Sequence, residues 1–176
     1  MTLPSTKLPL GLSESSIEMG PDLPMTAYDA TERWHSDRIG ALALYCSDGR
    51  WGQAFDEFCH RHLRIPRYDR WAVPGGAACI AASVEPALLK AARIQLDFLV
   101  QTHDLERVVL ITHFGCAWYA NQLQRPPDEC LPTQSDDLRA AATTLRSWYP
   151  GLGVEAYVAM RRQERLSFHE LDVKQG

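Results

Sequence analysis

Two continuous apolar runs dominate the pattern of hydrophobic positions in this chain: Gly40-Ala41-Leu42-Ala43-Leu44-Tyr45 and Arg107-Val108-Val109-Leu110-Ile111-Thr112. Apolar runs without polar alternation predict strands buried on both faces, as in a parallel sheet. Trp71-Ala72-Val73 predicts a third, brief strand closed by Pro74-Gly75-Gly76, and 154–158 and 166–171 alternate like an edge pair. Helical spacing fills the gaps. Residues 51–63 carry Phe55, Phe58, His62 and Leu63 near one face; 77–102 carry Leu88, Leu89, Ala92, Leu96 and Leu99; 134–148 end at Pro150-Gly151. Pro86 marks a break or a helix start inside the longest stretch. Strands separated by helices predict an α/β fold, a mostly parallel sheet flanked by helices.

Ahead of the first strand, residues 1–26 hold Pro4, Pro9, Pro21 and Pro24 among Ser and Gly, and they predict an extended N-terminal arm. A short polar helix is expected near 28–37. Residues 27–176 are then expected to form a single α/β domain, since a chain of 176 residues buries roughly 70% of its unfolded surface as one domain.

Composition removes several classes of function. A net charge of -4 without Lys or Arg runs leaves no footprint for nucleic acid. The start, Met1-Thr2-Leu3-Pro4-Ser5-Thr6-Lys7, has neither the basic nor the apolar part of a secretory signal. No apolar run approaches the ~20 residues of a membrane span. Five cysteines, an odd count without scaffold spacing, suit a reducing compartment, with the cytoplasm as the expected location.

Candidate chemistry follows the two buried strands directly. Cys46, Asp48 and Arg50 come after the first, and His113 and Cys116 after the second. Two thiolates and one imidazole make a three-ligand shell for one catalytic zinc per chain, with the fourth position left to water. In open α/β sheets ligands bind beyond the carboxyl ends of the strands, where Cys46 and His113 fall. Cys116, on the opening turn of the next helix, would gain thiolate character there. Asp48 is placed to accept a proton or hydrogen bond from the zinc-bound water, and the planar Arg50 fork suits a grip on that carboxylate. Three plainer readings stand beside this one: coincidental spacing, a closed structural zinc with Asp48 as fourth ligand, and a redox pair. The last is disfavoured because Cys46 and Cys116 do not form a Cys-x-x-Cys motif.

Cys-x-Asp-x-Arg followed by His-x-x-Cys resembles the signature of the β-class carbonic anhydrases, over roughly residues 40 to 120. The resemblance implies Cys46, His113 and Cys116 as zinc ligands and Asp48 and Arg50 as the catalytic pair. It also implies a parallel α/β sheet with an antiparallel edge strand, and a homodimer or higher even oligomer. The implied reaction is carbonate dehydratase chemistry, the reversible hydration of carbon dioxide to bicarbonate with zinc hydroxide as nucleophile. Leu3, Leu8, Leu10, Leu12 and Ile17 of the arm would be buried by wrapping a partner.

The chain departs from the family pattern around the substrate. Ala117 and Trp118 follow the second cysteine, where Gly is usual. Ala72-Val73-Pro74-Gly75-Gly76 stands where Arg-Asn-Ala-Gly-Asn is common, and no Gln precedes Gln53. Gly75 and Gly76, which either cradle an anion through backbone amides or form a tight turn, are candidate pocket residues together with Ala117. Trp51, Trp118 and Tyr119 shape the pocket or pack the core. Cys59, Cys79 and Cys130 lack partners at ligand spacing, and His35, His60, His62, His103 and His169 suit ordinary surface or core roles. Alternative functions are hydrolysis of a related small heterocumulene, such as carbonyl sulfide or carbon disulfide, or a carbonic-anhydrase-like zinc protein that binds without turnover.

Overall fold

The computed structural model describes residues 26–81 and 85–173. The chain divides into two units, 1–38 and 39–176. The expected arm, with its leucines and Ile17, lies outside the described residues apart from Met25's successor Thr26.

Within the first unit, residues 26–38 are exposed and contain neither helix nor strand, so the short helix expected at 28–37 does not form. A helix of ten residues is marginal in water unless an apolar stripe packs it, and Tyr28 and Trp34 do not supply one.

The second unit holds a five-stranded sheet. Its elements are β1 (Ala41–Cys46), α1 (Gly49–Glu57), β2 (Asp69–Val73), α2 (Pro86–His103), β3 (Arg107–His113), α3 (Ala117–Leu123), α4 (Leu131–Trp148), β4 (Gly153–Arg162) and β5 (Arg165–Leu171). The strand order is β2-β1-β3-β4-β5. Neighbours run parallel except β4 and β5, which pair antiparallel with Val158 opposite His169. The mostly parallel sheet with an antiparallel edge is the architecture expected from the sequence.

Both central strands read as apolar runs because both their faces are covered. Leu42, Leu44, Val108 and Leu110 pack against Ala92 and Leu96 of α2 and Leu138, Ala141 and Leu145 of α4. Ala43, Tyr45, Val109 and Ile111 face the other way, onto Trp51, Phe55 and Phe58.

Two helices differ from the periodicity reading. The first begins at Gly49 and gives way at Phe58–His62 to a π-helical turn. The second is interrupted: a 3₁₀ turn covers Gly76–Ile80, and α2 starts afresh at Pro86. Glu85 caps that start, its carboxylate accepting from the backbone N–H groups of Ala87 and Leu88 at 3.0 and 3.2 Å, and Pro loses nothing at a first helical position. Leu88 is exposed, whereas Leu96 is fully buried.

Candidate metal centre

Strand pairing brings the two halves of the motif together. β1 and β3 are parallel neighbours with Tyr45 opposite Ile111, so Cys46 ends one strand beside His113, which ends the other. The chain steps outward from β1 to β2 and returns across β1 to β3. That reversal leaves a crevice beyond the carboxyl ends of β1 and β3, the usual ligand position in an open α/β sheet. After β3 the chain turns sharply. The Phe114 N–H donates to the Ala159 carbonyl at 2.8 Å, Gly115 takes a left-handed φ of 75°, and Cys116 becomes the N-cap of α3.

The Cys46 and Cys116 sulfurs are 3.7 Å apart. Those two atoms and an imidazole nitrogen of His113 lie within 4.8 Å of one another, all from buried residues. Two sulfurs bound tetrahedrally to one zinc at ~2.3 Å stand about 3.8 Å apart, so the spacing fits that ion. The imidazole fits as well. Its Nδ1–H donates to the Phe114 carbonyl at 3.0 Å, which leaves Nε2 as the nitrogen that could bind a metal. Nε2 is buried with no hydrogen-bond partner, an arrangement that a cation would satisfy.

Electrostatics favour anionic sulfur at Cys46. Cys46 is pulled down to about 4, chiefly by the Cys116 hydrogen bond, with further help from His113 and the backbone N–H groups of Asp48 and Gly75. Cys116 does not gain the thiolate character expected of it at a helix start: the Tyr119 and Trp118 N–H groups pull it down, but the hydrogen bond to Cys46 and burial push it up further. Without a metal the two sulfurs share one proton; a divalent cation would take its place. Cys59 and Cys79, by contrast, are raised by burial to about 11 and about 12. Cys130 is buried with Cys46 and Cys116 in one cluster, yet its thiol donates to the Pro126 carbonyl at 3.3 Å. Among the described residues, these three cysteines do not join the ligand group.

Asp48 caps α1, accepting from the Arg50 backbone N–H at 3.1 Å. The Arg50 guanidinium grips both carboxylate oxygens, Nε to Oδ1 at 2.9 Å and Nη2 to Oδ2 at 2.5 Å. This fork holds the Asp48 carboxyl down at about 2. Arg50 itself is 76% exposed and Asp48 only 15%, so the pair joins a sheltered carboxylate at a small cleft to a guanidinium in solvent. Cys46, Ser47, Asp48, Pro74, Ala117 and Trp118 line that cleft of about 220 Å³. The lining residues thus mix polar ones, Cys46, Ser47 and Asp48, with the apolar Pro74, Ala117 and Trp118.

The remaining candidates separate clearly. Ala117 lines the cleft, whereas Gly75 and Gly76 are buried behind it. A Cβ on Gly75 would lie 2.4 Å from the Trp118 ring, and Gly75 holds a φ of 76°. Gly76 packs on the backbone of Cys46 and Tyr45. The glycines thus let a loop press against the end of β1 and let Trp118 lie flat on it. Tyr119 donates to Asp137 at 2.8 Å and is buried beside Cys116. His103 pairs with Asp69 at 2.6 Å, His169 meets Ser167 at 3.0 Å, and His62 stacks on Phe58. His60 and His35 are exposed.

Two supports of the site were not read as such in the sequence. Trp51 packs its ring against His113, centroids 4.9 Å apart. Gln134 is fully buried and donates to the Thr112 hydroxyl and the His113 carbonyl. A signal for Gln134 does exist: it occupies the inward stripe of α4 ahead of Leu138, Ala141 and Leu145, a polar residue at an apolar position.

The β-carbonic anhydrase CafA of the fungal pathogen Aspergillus fumigatus is a similar solved structure, 15% identical, with a TM-score of 0.47 over 79% of this chain and 78% of that one. The β-carbonic anhydrase isoform I from the protozoan Trichomonas vaginalis is 11% identical, with a TM-score of 0.44 over 80% of this chain and 87% of that one. Comparison with curated proteins gives no match. Residues 36–165, well over half of the chain, match the family described as "Putative carbonic anhydrase". With that match over both halves of the Cys-His-Cys cluster and the Asp48–Arg50 pair between them, the chain belongs to this carbonic anhydrase family.

Proposed function

We propose that this protein catalyses the reversible hydration of carbon dioxide to bicarbonate, using one zinc ion held by Cys46, His113 and Cys116. The observation that carries the reading is the convergence of two sulfurs and an orphaned buried imidazole nitrogen within 4.8 Å, beside a carboxylate clamped by Arg50. A zinc ion held there would lower the pKa of bound water enough to supply a nucleophile near neutral pH. Asp48, ionised throughout that range, accepts a hydrogen bond from the attacking water and aligns its lone pair with the carbon. Arg50 occupies both carboxylate oxygens, which keeps Asp48 in the cleft wall and out of the ligand set. Pro74, Ala117 and Trp118 offer an apolar surface suited to a small uncharged substrate. Stopped-flow hydration of carbon dioxide by the zinc-loaded protein tests the reading.

The same apolar surface favours a second reading, hydrolysis of carbonyl sulfide or carbon disulfide, and parallel turnover of the three substrates separates the two. Absence of turnover with any of them by fully zinc-loaded protein would leave a binding role. The protein is proposed to act in the cytoplasm as a homodimer; among the described residues no helix is long and apolar enough to cross a membrane. Sedimentation giving a single particle of the 19.8 kDa chain mass at micromolar concentration would remove the dimer.

A further inference from the structure

We infer that Gln134 is a positioning residue for the metal centre, holding the main chain of His113 so that the imidazole presents Nε2 to the two sulfurs. The inference rests on the metal reading above. Gln134 is fully buried in the inward stripe of α4, and its amide nitrogen spends both hydrogens on β3: one to Thr112 Oγ1 at 3.1 Å, one to the His113 carbonyl at 3.0 Å. Only one orientation of the amide serves. Turned over, Oε1 would face the His113 carbonyl, acceptor against acceptor.

In the orientation that serves, Oε1 is itself buried without a hydrogen-bond partner. A stripe selected for packing alone carries Leu or Ala, as at Leu138, Ala141, Ala142 and Leu145. A half-satisfied amide in a core is a cost in stability, and here it falls at the position that anchors His113. The anchor completes a set of three restraints. Gln134 holds the His113 carbonyl, Phe114 holds Nδ1, and Trp51 walls the ring. Nε2 is the vertex left over, buried without a partner on a ring that has a nitrogen within 4.8 Å of both sulfurs. Groups behind a first ligand set its orientation and thereby metal affinity.

The test uses the full chain, as wild type, Gln134→Met and Gln134→Glu. Zinc affinity is read by competition with a chromophoric chelator, cobalt(II) supplies a ligand-field spectrum, and thermal unfolding of metal-free protein reports the fold. Gln134→Met keeps the length and removes both donors. It is expected to bind zinc about 10- to 100-fold more weakly, with a shifted cobalt spectrum in a protein that still unfolds cooperatively. Gln134→Glu keeps the volume and decides the matter should the first variant fail to fold. Its introduced carboxyl can supply at most one of the two hydrogens that the amide donates, so it too is expected to bind zinc more weakly, with a shifted cobalt spectrum. Folded variants with wild-type zinc affinity and an unchanged cobalt spectrum would overturn the inference while leaving the metal reading intact. Wild-type protein that takes up neither metal would overturn both.

Discussion

The sulfurs of Cys46 and Cys116 lie 3.7 Å apart, although 70 positions separate the two residues along the chain. Parallel pairing of β1 with β3 closes most of that separation, and the tight turn through Gly115 closes the rest. The first prediction follows. Cys46→Ser and Cys116→Ser each replace a soft ligand by a hydroxyl that zinc prefers far less, so metal analysis is expected to find zinc near one per chain in wild type and near none in either variant. Cys59→Ala, Cys79→Ala and Cys130→Ala are expected to keep it. Full zinc in Cys116→Ser would contradict the ligand assignment.

Gly75 and Trp118 form a second fitted pair. Gly75→Ala meets both a left-handed φ and the Trp118 ring at 2.4 Å from the new Cβ. The conformational part costs about 1–3 kcal/mol and the overpacking about as much again. Adding Trp118→Ala removes only the steric part, so the double variant should lose less than the sum of the single losses. Urea unfolding of the four proteins measures this; strict additivity would place the ring elsewhere.

Asp48 and Arg50 act as one device. The Asp48 carboxyl, ordinarily near 3.9, sits at about 2 because Arg50 binds its charged form. A depressed carboxyl contributes stability that is present above its unfolded value and is lost as pH falls through its folded value. The stability gap between wild type and Asp48→Asn should therefore hold at pH 6 and shrink between about pH 4 and pH 2. Denaturation at stepped pH checks the window, and a gap unchanged at pH 2 would contradict the pairing.

In the proposed reaction, Arg50→Ala frees the carboxylate. Hydration is expected to collapse while zinc stays bound, and the Asp48→Asn/Arg50→Ala double variant should be little worse than either single. Zinc affinity and hydration rate read on the same Asp48→Asn sample distinguish the roles: retained affinity with lost rate supports an aligning carboxylate, and lost affinity supports a ligand.

What could be read from the sequence was what is local or strictly periodic. β1 and β3 are legible because burial on both faces leaves no polar alternation, and Cys46, Asp48 and Arg50 are legible because they share one strand end. The break before Pro86 is half legible: proline marks it, but the 3₁₀ turn at Gly76–Ile80 depends on how Gly75 and Gly76 press against β1. The π-helical turn at Phe58–His62 escapes a reading tuned to 3.6 residues, since Leu63 donates five residues back to Phe58. The helix expected at 28–37 failed because polarity without an apolar stripe gives no packing energy. Gln134 and Trp51 support His113 through tertiary packing alone, since α4 and α1 lie against opposite faces of β3, and no local pattern encodes that.

The central claim is hydration of carbon dioxide at a Cys46–His113–Cys116 zinc site, and stopped-flow hydration by zinc-loaded protein between about pH 7 and pH 9 tests it most directly. The account predicts a catalysed rate well above buffer, rising with pH, lost in Cys116→Ser and collapsed in Arg50→Ala. Protein carrying one zinc per chain that never exceeds the buffer rate over that range would contradict it.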